Sequence, residues 1–481
     1  MKEVTDDEII VKIGATNPWW RDCDKVPFSR YRARRYFNQF LGLARSRTPN
    51  RALILMGPRR VGKTVVVFHF IKQMIEDGVE PRHLVYLDLQ QPLYNGLSLE
   101  KLLEFALRAA QVEPSEQITI CFDEIQYLRQ WEVHLKILVD NNPHIKFIAT
   151  GSAAAALKLK SQESGAGRFT EFLLPPLTFY EFLDLLDESE LVKVHDGGEK
   201  QLVVTENIDR LNDLFVDYLN YGGYPEALFS DEVKSDPSRY IRSDIIDKVL
   251  LKDLPSLYGI QDIQELNSLF TNLAYNTANE LSLGDLSQKS GVAKNTLKKY
   301  IEYLESAFLI RIVHRLDHNS KRFQRATNFK VYLTNPTMRC ALFSPVAADS
   351  QEMGALVETA VFSQWFHSMY AELHYSRWQN GEVDIVNLNN LQEPVWAVEV
   401  KWSDQFEDNP SKLESLKEFC TRNPKCSIKV TTRTKHSVKN LFGTTIQFIP
   451  ASVYCYILGY NIIRGKERFF EFSAANVPPN E

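Results

Sequence analysis

Residues 51–72 read "RALILMGPRRVGKTVVVFHFIK", and the reading of this stretch decides the fold of the first part of the chain. Ala52 to Met56 form a short apolar run rich in Leu and Ile, suited to a strand buried on both faces. The next eight residues, Gly57, Pro58, Arg59, Arg60, Val61, Gly62, Lys63 and Thr64, fit G-x-x-x-x-G-K-[ST]. Glycine at the two fixed positions lets successive backbone N–H groups turn inward around a polyphosphate. Lys63 would reach the β- and γ-phosphates of ATP, and Thr64 would hold Mg2+. From Val65 to Met74 the periodicity predicts a helix whose N-terminal dipole points at the same anion.

Such a loop needs an acid on a neighbouring buried strand to hold the metal. "ITICFDEIQYL" (118–128) supplies one: Ile118 to Phe122 read as the strand, Asp123 as the metal-side carboxylate and Glu124 as the adjacent acid. Two neighbouring carboxylates repel, but a cation on Asp123 leaves Glu124 to polarise water, so Glu124 is the candidate general base. "HIKFIATGSAAAAL" (144–157) ends its apolar run in Thr150, Gly151 and Ser152, polar groups placed to feel the γ-phosphate. "SGAGRF" (164–169) offers Arg168 as a guanidinium for the transition state, in its own subunit or a neighbour's, or else as a plain surface arginine. Adding "HLVYLDLQ" (83–90) and "FTEFLLPPL" (169–177), five strand candidates alternate with helices, the pattern of a parallel α/β ATPase core. Trp19 and Trp20 in "NPWWRD" read as an anchor packing the leading segment onto this core rather than as a stack for adenine.

The 481 residues imply about three domains of roughly 150 residues each. A hydrophobic content of 44% and a charged content of 24% are those of a globular protein, and a net charge of −5 excludes a uniformly basic nucleic-acid binder. Six scattered cysteines argue against a disulfide framework, and Cys420 and Cys426 lack the second pair that a zinc site would need. The acidic start "MKEVTDDEII" and the lack of any run near 18 apolar residues predict a cytoplasmic protein without a membrane partner.

Beyond "PLTFYEFLDLLD" (176–187) the chain turns acidic, and "HDGGEK" (195–200) marks a boundary or inserted loop. A lid-like helical segment follows, broken at "NYGGYPEAL" (220–228). Residues 281–310 have the form of a helix-turn-helix, and "RIVHRLDHNSKRFQRATNFKVYL" (311–333) that of a β-hairpin wing. From Lys294 to Lys330 nine Lys or Arg (294, 298, 299, 311, 315, 321, 322, 325 and 330) face the three acids Glu302, Glu305 and Asp317. Contact with the phosphates of DNA is the use this suggests; a spacer or protein-docking module is the alternative.

A second site is legible in "NGEVDIVNLNNLQEPVWAVEVKWSD" (380–404). Val383 to Val386 and Val395 to Val400 alternate like the arms of a hairpin, which sets Asp384, Glu399 and Lys401 on one face. Asp384 and Glu399 with a backbone carbonyl would offer oxygens to Mg2+, and Lys401 could orient the attacking water, an outline of phosphodiester hydrolysis. Glu358, in the helical "MGALVETAVFSQWF" (353–366), could complete the metal shell.

In order, "GPRRVGKT", "CFDEIQYL", "ATGS", "GAGRF", "LPPLTFYEF", "GGYPEAL", "LLKDLPSLYGI", "LKKYIEYLESAFLI", "GALVETAVFSQW" and "GEVDIV…AVEVKW" span roughly Arg51 to Leu458. This series resembles a family of bacterial and archaeal AAA+-type ATPases carrying a C-terminal domain of unknown function. The resemblance implies an α/β P-loop NTPase core, a helical lid, a winged helix and a C-terminal restriction-endonuclease-like domain. In the last, a PD-(D/E)xK pattern would map onto Glu358, Asp384, Glu399 and Lys401. Asn335 departs from the pattern, standing where similar proteins tend to carry an aspartate. The expected organisation is a packing segment over 1–50, the ATPase core over 51–185, the lid over 186–275, the winged helix over 276–345, the endonuclease-like domain over 346–460 and a tail over 461–481. ATP, Mg2+ and DNA are the expected ligands, and a homo-oligomer the expected assembly. A signalling or scaffold ATPase whose C-terminal domain binds without cutting is the second reading.

Overall fold

The computed structural model describes residues 5–151, 167–197, 200–316, 328–368, 372–379 and 381–465. Expectations placed on Ser152, Lys321, Arg322, Arg325 and the tail beyond 465 fall outside these residues. The chain divides into two compact units, Met1–Pro175 and Pro176–Glu481.

In the first unit five strands, β1 (Ala52–Met56), β2 (Leu84–Asp88), β3 (Ile118–Asp123), β4 (Ile145–Gly151) and β5 (Phe169–Leu173), form a wholly parallel sheet in the order β2-β3-β4-β1-β5. These are the five runs read as strands. The sheet is parallel because helical crossovers return each strand to the same end, and its interior strands are continuous apolar runs because both faces are covered. Helix α1 (Asp6–Thr16) starts on a reciprocal cap between Thr5 and Glu8 and buries Ile9 and Ile13 in the core shared by Ile54, Val85, Ile120 and Phe147. The other described helices of this unit are α2 (Phe37–Arg45), α3 (Lys63–Glu76), α4 (Leu99–Ala110) and α5 (Trp131–Asn141).

Strand β2 lies at one edge, where its peptide groups would face water. Side chains of the leading segment cover them. Asn17 donates to the Tyr86 carbonyl at 3.0 Å and accepts from its N–H at 2.7 Å, imitating a neighbouring strand. Trp19 and Trp20 both donate through Nε1 to the Leu84 carbonyl at 3.0 Å. Trp19 is fully buried against Phe68, so the tryptophan pair is an anchor, as its sequence context implies.

The second unit opens with the helix Phe179–Leu185, so the first unit ends ten residues before the boundary expected at 185. The reason is packing: Phe179 and Phe182 lie against Phe215 and Tyr218, and Tyr180 against Tyr456 and Tyr460. In the stretch read as a boundary or loop, His195 to Gly197 lie on β6 (Lys193–Gly197) and Lys200 on β7 (Lys200–Val204), two strands that pair antiparallel.

Helices Leu283–Ser290 and Lys294–Ser306, separated by a turn with Gly291 in the left-handed region, are followed by β9 (Ile310–Leu316) and β10 (Asn328–Leu333). These strands pair antiparallel, and β8 (Glu280–Ser282) adds to β10. Strand β9 also pairs, in parallel, with β11 (Leu373–Trp378). One nine-stranded mixed sheet therefore runs β15-β16-β14-β13-β12-β11-β9-β10-β8, with β12 at Gly381–Leu388, β13 at Pro394–Glu399, β14 at Ser427–Thr432, β15 at Ser437–Leu441 and β16 at Thr444–Pro450. Helix Glu414–Arg422 buries Leu416, Phe419 and Cys420 against it with Val386, Ala397 and Ile428.

Asn335 is buried, and its Oδ1 accepts from the Thr337 N–H at 2.9 Å. Gly223, whose N–H donates to Thr337 Oγ1 at 3.0 Å, lies so close that a Cβ there would fall 2.3 Å from Asn335 Oδ1. Gly223→Ala should therefore overpack this junction and cost about 1–3 kcal/mol, read as a lower denaturant midpoint. Gly354→Ala, in a helix with nothing within 4 Å, should be neutral or gain up to about 1 kcal/mol.

Candidate functional site

The phosphate-binding loop follows β1 at the carboxyl end of the sheet, where ligands of open α/β sheets sit. Gly57 is obligatory by contact: a Cβ would lie 2.1 Å from the Leu174 carbonyl oxygen. Arg60 (φ 63°) and Gly62 (φ 93°) both take left-handed backbone, which turns the chain into α3. Gly62 caps α3 without a side-chain hydrogen bond, so the helix presents main-chain amides at its start. Lys63 is buried and folds back, its Nζ donating to the carbonyls of Gly57 at 3.0 Å and Pro58 at 2.7 Å.

Arg34, a residue the sequence reading passed over, braces the loop from behind. Its buried guanidinium donates to the Val61 carbonyl at 2.8 Å and the Pro175 carbonyl at 3.1 Å. The only sequence signal was the arginine-rich "RYRARRY" (30–36) ahead of β1.

Asp123 ends β3 and is buried. Three hydroxyls converge on it: Thr64 donates to Oδ2 at 2.9 Å, Tyr86 to Oδ2 at 2.7 Å, and Thr150 to Oδ1. Burial pushes the Asp123 carboxyl up and the Glu124 charge adds to this, while the Thr150, Tyr86 and Thr64 hydroxyls pull it down; the net direction is upward. Glu124 takes left-handed backbone (φ 56°), donates its N–H to Thr150 Oγ1 at 3.0 Å, and accepts from Gln126 Nε2 at its own Oε2. Thr150 thus ties both acids together instead of standing alone toward a phosphate. Tyr86 is the second residue the sequence reading missed; inside the apolar "LVYLD" it reads as core.

The arrangement fits ATP and Mg2+. Gly57 lets the loop turn tight against the Leu174 carbonyl, Lys63 already grips carbonyl oxygens, and the Thr64 hydroxyl and Asp123 carboxylate make the hard oxygen pair Mg2+ takes. Val65 lies within the first turn of α3, and Pro58, Arg59 and Val61 complete the loop.

Arg168 stands elsewhere. Its carbonyl accepts from the Ala52 N–H at 2.9 Å at the start of β1, the end of the sheet opposite the loop, and its Nε pairs with Asp140 Oδ1 at 2.9 Å on a half-exposed surface. The length of β1 separates it from the loop of its own chain, which, of the alternatives open in the sequence, leaves a neighbour's site or a plain surface arginine. The motif identifies a residue type on a glycine-rich loop but carries no information on which end of the sheet that loop occupies.

In the second unit the structure brings Glu358, Asp384, Glu399 and Lys401 together. The register that puts Ile385 opposite Val398 sets Asp384 across from Glu399, as alternation requires. Lys401 Nζ lies 2.7 Å from Glu399 Oε1 and 3.8 Å from Asp384 Oδ2, which also accepts from the Val400 N–H at 2.8 Å. Glu358, on the helix Met353–Trp365, accepts at Oε1 from Tyr332 at 2.6 Å and from Lys330 at 2.9 Å. Burial and the Asp384 charge push Glu358 and Glu399 up to about 7. Burial acts the same way on Asp384, but Lys401, Lys330 and the Val400 N–H outweigh it and hold that carboxyl low.

The charge count places Lys330 among the phosphate-contacting cations, and the structure corrects this: it is buried on β10 and turned into the acids. Arg315 is likewise drawn inward, donating to the Arg377 carbonyl at 2.9 Å and lying 3.8 Å from Glu280. Lys294, Lys298 and Lys299 remain exposed on their helix. Among the described residues no three His, Cys, Asp or Glu side chains are placed to hold one metal ion. Asp384 Oδ2 accepts from the Val400 N–H and Glu399 Oε1 from Lys401, while Glu399 Oε2 is buried without a hydrogen-bond partner. No described helix is long and apolar enough to cross a membrane.

Residues 49–183 match the family described as "AAA domain", residues 212–349 a "Domain of unknown function (DUF8612)" and residues 353–454 a "Domain of unknown function (DUF4143)". An uncharacterised protein of Haemophilus influenzae is 26% identical over 292 residues, 60% of this chain and 68% of that one. An uncharacterised protein of Methanocaldococcus jannaschii is 24% identical over 355 residues, 72% of this chain and 74% of that one. Among solved structures, the Thermotoga maritima RuvB Holliday junction branch migration motor aligns with a TM-score of 0.27 and 15% identity over 57% of this chain and 88% of that one. The Aeropyrum pernix ORC2 protein in its ADP form aligns with a TM-score of 0.31 and 14% identity over 73% and 93%. With loop, parallel sheet and Asp123 in place, residues 49–183 are an AAA-type P-loop ATPase domain.

The Tyr86 hydroxyl favours the ionised form of Asp123, so Tyr86→Phe should raise that carboxyl further. The acid limb of Mg·ATP binding should then move to higher pH, measured by titrating a fluorescent ATP analogue between about pH 5 and pH 8. An unshifted limb would mean that the hydroxyl does not tune Asp123.

Proposed function

We propose that this chain is a Mg2+-dependent ATPase whose nucleotide state controls a nucleic-acid-associated second unit. The observation that carries the proposal is the Thr64–Asp123 contact at 2.9 Å at the start of α3, beside a loop whose Gly57 packs so close to the Leu174 carbonyl that no Cβ fits. In this reading Lys63 leaves the Gly57 and Pro58 carbonyls for the phosphate oxygens, exchanging one set of acceptors for a more strongly charged one. The amides at the start of α3 hold the same anion. Bound between Thr64 and Asp123, Mg2+ would supply neutralisation of phosphate charge. Glu124, oriented by Gln126 and Thr150, takes the proton of the attacking water on its carboxylate. Arg168, remote from its own site, would serve a neighbouring copy in a homo-oligomer.

Helices Leu283–Ser290 and Lys294–Ser306 with strands β8–β10 support a winged-helix reading, and the exposed Lys294, Lys298 and Lys299 give it a phosphate-facing edge. The nine-stranded sheet with its acid hairpin supports a restriction-endonuclease-like ancestry for the remainder. Between cutting and binding, the lysine-paired state of Glu358, Asp384 and Glu399 favours binding without cutting.

The test is ATP turnover with and without single- and double-stranded DNA, with the DNA products resolved in parallel. Lys63→Ala should abolish nucleotide binding or turnover, and Glu124→Gln should bind ATP but hydrolyse it slowly; fast turnover in the latter removes Glu124 from the base role. Reversing Lys294, Lys298 and Lys299 to Glu should flatten the slope of log affinity against log salt by roughly 2–3. An unchanged slope would assign the helix to protein docking. Cleavage lost in both Asp384→Ala and Lys401→Ala would establish the nuclease reading instead.

A further inference from the structure

We propose that Lys330 takes the place of a divalent metal ion in the acid cluster of the second unit, so that an ammonium and not Mg2+ is the resident counter-charge of Glu358, Glu382 and Asp384. Its Nζ lies 2.9 Å from Glu358 Oε1 and 3.5 Å from Asp384 Oδ1, and it is also paired with Glu382. The three carboxylates come from a helix and from two alternate positions of β12, converging on one point as ligands of a cation do. Only 3% of the Lys330 side chain is exposed, so this is no surface pair that exchanges with water.

The lysine is also held from behind. It sits mid-strand on β10, opposite Val313 on one side and Glu280 on the other, and its ammonium lies 5.5 Å from the centre of the Tyr375 ring. Tyr332, two residues along on the same face, donates to the oxygen of Glu358 that Lys330 also contacts.

Charge balance points the same way. The four carboxylates Glu358, Glu382, Asp384 and Glu399 face three cations: Lys330, Lys401 at 2.7 Å from Glu399, and Arg377 at 3.2 Å from Glu382. A divalent ion added to this set would stand beside a fixed ammonium, a repulsion that grows as water is excluded. A hard dication also demands six or more oxygens at short range, whereas Glu358 Oε1 already accepts from Lys330 and Tyr332, Asp384 Oδ2 from the Val400 N–H and Glu399 Oε1 from Lys401; Glu399 Oε2 stays buried without a hydrogen-bond partner. Lys330 brings to Glu358, Glu382 and Asp384 the positive charge that a metal would otherwise supply.

The experiment reads metal occupancy and not turnover, so its failure leaves the ATPase proposal standing. The nucleotide-free full-length chain is titrated with Mn2+ and the free ion followed by its EPR signal. Wild type, Asp384→Asn and Glu358→Gln should bind Mn2+ alike. Lys330→Met should gain a single bound Mn2+ that the double variant Lys330→Met/Asp384→Asn lacks, and Mn2+ should raise the melting temperature of Lys330→Met alone. The proposal is overturned if wild type binds Mn2+ that Asp384→Asn or Glu358→Gln does not, or if folded Lys330→Met gains none. Should Lys330→Met fail to fold, the wild-type comparison decides: equal Mn2+ binding supports the ammonium, and a deficit in the carboxylate variants refutes it.

Discussion

A carboxylate buried at the end of a parallel strand must be neutralised, hydrogen-bonded or paired, and the first unit is organised around how Asp123 meets that condition. Three hydroxyls reach it, one from the first turn of α3, one from β2 and one from β4. Each arises on a different element, so the position of Asp123 is correct only when the loop, the sheet register and the helix start are all correct. Burying it costs free energy, and the hydroxyls offset part of that cost without supplying a positive charge. The acid therefore stays short of a cation, the condition in which it can take one from solution.

The second buried acid site solves the same problem by the opposite means. Glu358, Asp384 and Glu399 are balanced by Lys330 and Lys401, whose charges come with the chain. Such a network contributes little net stability over an apolar core, but losing one partner is expensive, on the order of 3–5 kcal/mol, since the remaining charge is stranded. One protein thus surrounds one buried acid with neutral hydroxyls and balances others with its own ammonium groups, and the difference lies in the donors and not in the acids.

Much of this was legible in the sequence, for identifiable reasons. The glycine-lysine loop constrains backbone angles so tightly that its residue order alone specifies its shape, and β1, β3 and β4 are mainly apolar runs buried along their whole length. Asp384, Glu399 and Lys401 were assigned to one face because strand alternation is a strict period of two. Lys330 was misjudged because the sequence around it is rich in Lys and Arg, while its partners come from a helix and a strand 28 and 54 residues away. A lysine between Phe329 and Val331 in an apolar strand was nevertheless a signal of a buried charge. Arg168, Tyr86 and Arg34 depend on which ends and edges of the sheet meet, which no local pattern records.

The covering of β2 has a consequence for how the chain emerges from the ribosome. Asn17, Trp19 and Trp20 are synthesised before the strand whose peptide groups they satisfy. An open sheet margin is the commonest template for intermolecular pairing, and nascent chains on a polysome are crowded with copies of themselves. Here the stopper is translated ahead of the opening it closes, and the sticky margin of the growing sheet meets its own leading segment first.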